Sequence, residues 1–217
     1  MNFPNALDGI KKIRTAEILG IIVALVAAVT GIILTASVKG ASANVTDGQA
    51  AAFVGGGLLG IIAGILSIIA FIMRLVGYSR AGKDEPSFKT ALYVAIAGIV
   101  LSVLSSVFAK NATISAIFKV LIDVCQPIAT YLVITGIMNL AGKLGNTEMK
   151  ERGTKLFKII IAMYVIAIII DIVSAIFGKN ATTAAISGVL GIVAAVLSIV
   201  TLVLYLGYLK RAVQMLE

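Results

Sequence analysis

Six long hydrophobic stretches constrain the fold of this chain more than any other feature. Each consists almost entirely of Ile, Leu, Val, Ala and Gly, and each reaches the roughly 20 helical residues that a bilayer requires. They are too long for strands, and they lack the period-two alternation of barrel strands. The sequence therefore predicts an all-α, polytopic integral membrane protein with six transmembrane helices. The stretches lie near 16–38, 51–73, 90–108, 114–138, 156–177 and 184–208.

Composition agrees with lipid as the main partner of this chain. Of its 217 residues, 60% are hydrophobic and 13% are charged, whereas soluble domains average about 45–50% and about 25%. There is no histidine, and Cys125 is the one cysteine. These absences exclude Ser-His triads, His-based or Cys-cluster metal sites and an internal disulfide. We therefore expect a non-enzymatic protein with no cofactor.

The positions of the basic residues predict the orientation. Fourteen of the 18 Lys and Arg residues lie on one side of the predicted spans, three lie on the other, and Lys119 falls inside a span. The positive-inside rule places the richer side in the cytoplasm. We thus expect a multi-pass protein of the cell membrane with both termini cytoplasmic. The net charge of +8 is this topology signal, and we expect no nucleic-acid partner.

Internal similarity indicates a repeated unit. Residues 108–113 (FAKNAT) nearly repeat residues 177–182 (FGKNAT), and residues 59–68 match residues 190–199 at seven of ten positions. Such self-similarity is typical of a stacked supersecondary unit. We predict a single domain, 1–217, built from three parallel αα-hairpins. These cover approximately 15–88, 89–153 and 154–217.

The repeated hairpins and two sequence segments carry a family resemblance. Three hairpins with short outer loops, and the second-helix sequence LGIIAGILSIIAFIMR at 59–74, resemble the small six-span bacterial proteins of the HdeD-like acid-resistance family. The chain is equally similar to six-span proteins with a Gly-Lys-Asp-Glu cytoplasmic loop, here residues 82–85. The resemblance implies the same six-span architecture over most of the chain, and it assigns no functional residue.

The fourth stretch holds an unusual set of polar residues. Lys119, Asp123, Gln126 and Thr130 follow i, i+4, i+7 and i+11, which places them on one narrow helix face. Pro127 cannot donate a hydrogen bond to the carbonyl of Asp123, and it predicts a kink in this helix. Because unsatisfied polar groups are costly in hydrocarbon, this face should meet protein or water.

The fifth stretch adds Asp171 to this set. Counted at 1.5 Å per residue from the outer ends, Lys119 and Asp171 both lie roughly 8–9 Å deep, and Asp123 lies roughly 14 Å deep. If Lys119 pairs with Asp171, Asp123 has no obvious cationic partner. A midplane carboxyl that gains and loses a proton suits a proton- or cation-coupled pathway. The same groups can instead lock three helices together, and both interpretations stay open.

Small residues mark a second candidate surface. Ala52, Gly56, Gly60 and Gly64 recur every four residues in the second stretch, and small faces let helix backbones approach closely in lipid. This face serves either packing within the bundle or association with a second copy or a membrane partner. Two functional hypotheses follow: a small channel or transporter, or a subunit of one, that takes a small ion or solute; and a structural or accessory protein that acts through helix–helix assembly.

Overall fold

The computed structural model contains six α-helices and, within the part of the chain it describes, no strand. It describes the backbone of residues 3–39, 47–177 and 181–217, and their side chains except those of 31–39, 47–56, 112–113, 115–116, 119 and 167–198. The predicted all-α class is confirmed. The helices are α1 (Pro4–Lys39), α2 (Asp47–Ala81), α3 (Pro86–Val107), α4 (Ala112–Lys143), α5 (Thr147–Phe177) and α6 (Ala181–Leu216).

Five of these helices are long and apolar enough to cross a membrane. By length and composition, these helices are compatible with a membrane protein. The apolar part of α5 continues into residues whose side chains are outside the description, and its span stays a prediction. The five segments are Pro4–Thr30, Gly57–Ala81, Pro86–Val107, Val120–Lys143 and Ile199–Leu216.

Most of the helices are longer than a bilayer requires. All except α3 have 31–36 residues, which corresponds to roughly 46–54 Å against a hydrocarbon core of roughly 30 Å. The helix α1 begins well before the predicted span start at 16, and α5 begins well before 156. Their charged extensions stay helical because Lys, Glu, Arg and Ala are good helix formers and because one face is buried, at Ile10 and Leu156 for example.

One compact unit consists of Met1–Ile10 and Tyr78–Glu217. Within it, α3 and α4 run antiparallel, because contacts at both of their ends match in reverse order. At the start of α3, the Phe88 ring lies 2.6 Å from where a Cβ on Gly136 would stand. At the end of α3, the rings of Phe108 and Phe118 stack with centroids 6.0 Å apart. Short connections at 108–111 and 144–146 lead into α4 and α5.

The core of this unit is concentrated at one end, which we call the basic end. It carries the α2–α3 turn at 82–85 and the α4–α5 turn at 144–146. Towards the opposite end, apolar side chains such as Val103, Val107 and Val120 are exposed, as suits a surface that meets lipid. The side chains that are fully buried near the basic end include Ala81, Phe88, Ile134, Ile137, Leu140, Ala141, Leu209 and Ala212.

The second compact unit is Lys11–Gly77. It holds an ion pair between the two helices α1 and α2, in which Arg74 Nη2 lies 3.0 Å from Glu17 Oε1. Both side chains are mostly buried. Ala63 and Ala70 of α2 are also buried. The unit therefore joins its two helices by a charged contact close to the ends of their most apolar segments.

Candidate functional site

The polar face of α4 is the first candidate site. Asp123 and Gln126 are exposed, and Thr130 is half-buried. In the part of the chain that the structure describes, no hydrogen bond or ion pair reaches the Asp123 carboxylate or the Gln126 amide. The side chains of Lys119 and Asp171 lie outside the described residues, so their predicted pairing stays a prediction. We call Asp123, Gln126 and Thr130 the polar stripe.

The local backbone of α4 adds a further polar group to this stripe. The helix continues without interruption through Pro127, and the kink expected there stays a prediction. Proline has no N–H, so the Asp123 carbonyl lacks its usual donor four residues later. The Thr130 hydroxyl donates to the Gln126 carbonyl oxygen at 3.1 Å, which leaves the lone pairs of Thr130 Oγ1 free to accept.

The polar stripe faces away from the neighbouring helix α3. A Cβ placed on Gly98 of α3 would lie 3.5 Å from the Cβ of Cys125, so Cys125 marks the side of α4 that contacts α3. Asp123, two residues earlier, points about 160° away from it at 100° per residue. The contact with α3 therefore leaves the stripe uncovered.

Burial changes along this same side of α4. Ile134, Ile137 and Ala141 lie on the same side of α4 as the polar stripe but nearer the basic end. Each of these side chains is at most 1% exposed. Asp123 and Gln126, nearer the opposite end, are exposed. One helix side is thus closed by apolar packing at the basic end and open where its polar residues lie.

Exposed tyrosines lie on α3 and α4 near the point where the polar stripe ends towards the basic end. Tyr93 of α3 and Tyr131 of α4 are both exposed, and Tyr131 packs against Phe157 of α5 with ring centroids 4.7 Å apart. Exposed tyrosines are typical of the membrane–water interface. From Tyr131, Asp123 is roughly 12 Å further along α4 and the helix N-cap Asn111 roughly 30 Å further. Asp123 lies near the start of the apolar segment Val120–Lys143 of α4, and its predicted depth in the membrane stays a prediction.

A second cluster of charged side chains lies at the α2–α3 turn, and sequence reasoning did not find it. Glu85 is 5% exposed and accepts three hydrogen bonds from groups on α3 and α4. Lys143 Nζ donates to its Oε2 at 2.7 Å, and Asn139 Nδ2 donates to its Oε1 at 2.9 Å. Ser87 Oγ donates to the same Oε1 at 3.2 Å. The carboxylate thereby ties the start of α3 to the end of α4.

The charge state of Glu85 follows from these contacts. Burial by itself raises the pKa of a carboxyl group. The hydrogen bonds from Lys143, Asn139 and Ser87, together with the positive charge of Lys143, outweigh burial and hold the pKa of Glu85 below its usual range. Glu85 is therefore ionised at neutral pH, as its ion pair with Lys143 requires.

The adjacent Asp84 binds the N-terminus of α1. Its Oδ2 accepts a hydrogen bond from the Ala6 backbone N–H at 2.7 Å, and its Oδ1 accepts one from Asn5 Nδ2 at 2.9 Å. A carboxylate suits this place because the first N–H groups of a helix have no intrahelical partner and carry partial positive charge. Nearby, Arg80 pairs with Asp8 of α1.

One signal in the sequence pointed to this turn. Two adjacent acidic residues, Asp84 and Glu85, stand on the side that is otherwise rich in Lys and Arg. Acidic residues in a basic region are natural partners for it, but the sequence does not show which of its many cations they contact.

The small-residue face of α2 consists of Ala52, Gly56, Gly60 and Gly64. Only the last two lie among the residues whose side chains the structure describes. Gly60 and Gly64 are exposed, and no described atom lies within 4 Å of a Cβ built on either. Ala52 and Gly56 belong to the residues whose side chains are outside the description. Packing of this face inside the bundle stays a prediction.

Comparison with protein-family models, curated proteins and solved structures gives no match for this chain. The resemblance to the HdeD-like family stays a prediction from architecture. Among the described residues, five helices are long and apolar enough to cross a membrane, and one of them carries the polar stripe.

Proposed function

We propose that this chain is a non-enzymatic integral membrane protein that carries a small ion or solute across the cell membrane, alone or as a transporter subunit. Its domain, 1–217, consists in this proposal of three parallel helical hairpins with both termini in the cytoplasm. One observation carries the proposal. Asp123 and Gln126 are exposed on a helix side that is buried further towards the basic end.

The cost of placing these groups in lipid supports a polar pathway. A charged residue at the bilayer centre costs about 2.5–3.5 kcal/mol on insertion scales, and an unsatisfied amide adds to that cost. The stripe therefore meets water or a polar partner in the membrane. Ile134 and Ile137 close the same side at the basic end, which suits a pathway that opens from the opposite side.

The register between α4 and α5 supports a role for the remaining predicted residues. Tyr131 contacts Phe157, and a Cβ on Gly153 would meet Met138. These contacts run in antiparallel order. If this register continues along both helices, Lys119 of α4 is level with Asp171 of α5, as the sequence predicts. In our proposal these two form a pair that flanks the pathway and leaves the Asp123 carboxylate available.

Flux measurements on one isosteric variant test the proposal. Purified protein is reconstituted in liposomes, and entry of protons, alkali cations and small solutes is followed with entrapped dyes or tracers. We expect flux with the wild type and its loss with Asp123→Asn, while circular dichroism shows an unchanged helix content. Val124→Ala, a change at the neighbouring exposed position, is the matched control and should retain flux. Equal flux in Asp123→Asn and the wild type refutes a transport role for the stripe.

A second candidate function is assembly with a second copy or a membrane partner through the small-residue face of α2. The open space beside Gly60 and Gly64 favours it, because close helix contact in lipid needs such faces. In this proposal Ala52 and Gly56 extend the same contact. The expected result is a defined oligomer by light scattering in detergent that Gly60→Leu disperses. A monomer that co-purifies with no membrane partner contradicts this candidate.

A further inference from the structure

We propose that exposed lysines near the starts of α3 and α5 bind the headgroups of anionic phospholipids, whose acyl chains cover the apolar surface beside them. Three lysines carry the charge: Lys89 of α3, and Lys155 and Lys158 of α5. All three are exposed, and we call them the lysine belt. The proposal requires that the chain lies in a membrane, and it does not depend on transport.

The exposed face of α3 changes from cationic to apolar along the helix axis. Lys89, Tyr93, Ile96 and Val100 follow i, i+4, i+7 and i+11, so they share one side of the helix. Tyr93, Ile96 and Val100 are all exposed. This side thus presents a positive charge, then a tyrosine, then an apolar surface. A phospholipid has the same order of polarity, from its charged headgroup to its acyl chains.

The exposed face of α5 shows the same change. Lys158, Ile161 and Val165 follow i, i+3 and i+7 and share one side of the helix. Ile161 and Val165 are exposed, and Lys155 lies one turn before Lys158, towards the basic end. Because long lysine side chains reach towards a membrane surface from beside apolar residues, both helices can offer cations to the same layer of headgroups.

The packing of α4 against its two neighbours sets these changes at one level. The antiparallel contacts between α3 and α4 bring Tyr93 level with Tyr131. Tyr131 in turn packs against Phe157 of α5, with ring centroids 4.7 Å apart, and Lys158 follows Phe157 in the chain. Exposed tyrosines at the level of the lysines are typical of a membrane–water interface. The lysine belt therefore lies where headgroups are expected in this proposal.

The lysine belt has no internal partner for its charge. In the described part of the chain, no carboxylate forms an ion pair with any of the three lysines. Nearby acidic residues, Asp84, Glu85 and Glu148, accept hydrogen bonds from other groups. Glu151 stands one turn before Lys155 but forms no ion pair with it. Unpaired cations beside an exposed apolar surface fit an anionic lipid better than a soluble anion, which would leave the apolar surface uncovered.

The test measures lipid preference of the full chain by native mass spectrometry from detergent. Phosphatidylglycerol and phosphatidylcholine with the same acyl chains are added in equal amounts, and the bound lipids are counted. We expect the wild type to prefer phosphatidylglycerol. A belt variant with Lys89→Gln, Lys155→Gln and Lys158→Gln should lower this preference by about 10-fold to 100-fold, since each lysine near an anionic surface strengthens binding about fivefold. Replacing the same three lysines by arginine keeps the charge and should keep the preference.

A matched control separates the lysine belt from the total charge of the protein. The control variant carries Lys83→Gln, Lys150→Gln and Lys210→Gln, which remove three exposed lysines from the same basic end but further from the apolar surface. Its change in net charge equals that of the belt variant. Because salt screens charges over about 10 Å, the control should keep the preference of the wild type to within about threefold. Circular dichroism should show the same helix content in all variants.

The possible outcomes decide the proposal without reference to transport. Equal preference of the belt variant and the wild type overturns it, and so do equal losses in the belt and control variants. Displacement of phosphatidylglycerol by millimolar glycerol phosphate assigns the lysines to a soluble anion and also overturns it. Asp123→Asn should keep the lipid preference of the wild type, so a loss of flux in that variant leaves this proposal standing.

Discussion

Replacement of Glu85 by glutamine tests whether the α2–α3 turn holds the basic end together. The change keeps the shape of the side chain and removes its charge. It replaces the 2.7 Å contact between Lys143 Nζ and Oε2 by two donors that face each other. Hydrogen bonds to charged groups contribute about 1.5–3 kcal/mol each. Lys143 is 43% exposed and can turn to water, so no charge stays buried without a partner. We expect a loss of about 2 kcal/mol in the free energy of unfolding at pH 7.

The pH dependence of the stability provides a second test with the same variant. Burial opposes the charge of Glu85, but its hydrogen bonds lower the folded pKa beneath the unfolded value of about 4.3. Between these two values the unfolded chain binds more protons than the folded chain, so stability falls as the pH falls. The stabilisation by Glu85 is complete above about pH 4.3 and is lost as the pH drops through the folded pKa. The difference between wild type and Glu85→Gln should therefore shrink in acid.

Circular dichroism at several pH values measures both effects, since the chain has no tryptophan for fluorescence. The control is Glu148→Gln, which removes an exposed partner of Arg152 one helical turn away and should cost about 0.5 kcal/mol or less. Equal stability of Glu85→Gln and the wild type at pH 7 refutes the reasoning. So does a difference between them that stays constant from neutral pH into acid.

Two further predictions concern helix contacts. Gly136→Ala places a Cβ 2.6 Å from the ring of Phe88, which is fully buried, and should cost about 1–3 kcal/mol of stability. Adding Phe88→Leu should restore part of this stability. Strictly additive costs of the two substitutions contradict the contact. Arg74→Gln removes the cation beside the mostly buried Glu17 and should cost about 3 kcal/mol. The double variant with Glu17→Gln should lose less than Arg74→Gln alone, which a double-mutant cycle of thermal melts checks.

The sequence predicted the helices well, because apolar stretches of this length have few alternatives. It did not predict how far α1 and α5 extend. Segments such as 147–158 are rich in charge and show no apolar run, yet Met149 and Leu156 are buried on one face. Membrane spans are recognised in a sequence by high mean hydropathy. These extensions have low mean hydropathy and are stabilised instead by one buried face and by good helix formers.

The candidate site was predictable only where it lies on one helix. The spacing of Asp123, Gln126 and Thr130 follows from helical geometry alone. The partners of Glu85 do not, because Lys143 and Asn139 are more than 50 positions away in the chain and many other cations lie on the same side. Phe88 and Phe157, each followed by a lysine in the sequence, show the same limit of local reasoning. The first is fully buried, while the second is half-buried against Tyr131.

The polar stripe and the contacts of Glu85 both involve the helix α4, so the contacts of Glu85 affect how α4 can move. Lys143 at its end binds Glu85, and Asp123 lies roughly 30 Å away along the same helix. A pathway that crosses the membrane needs the buried Ile134 and Ile137 to separate from their neighbours. Such movement is resisted by the contacts of Glu85 and Phe88, which hold the same part of α4 to α3. In our proposal the basic end is therefore the closed gate, and its contacts set how readily the gate opens.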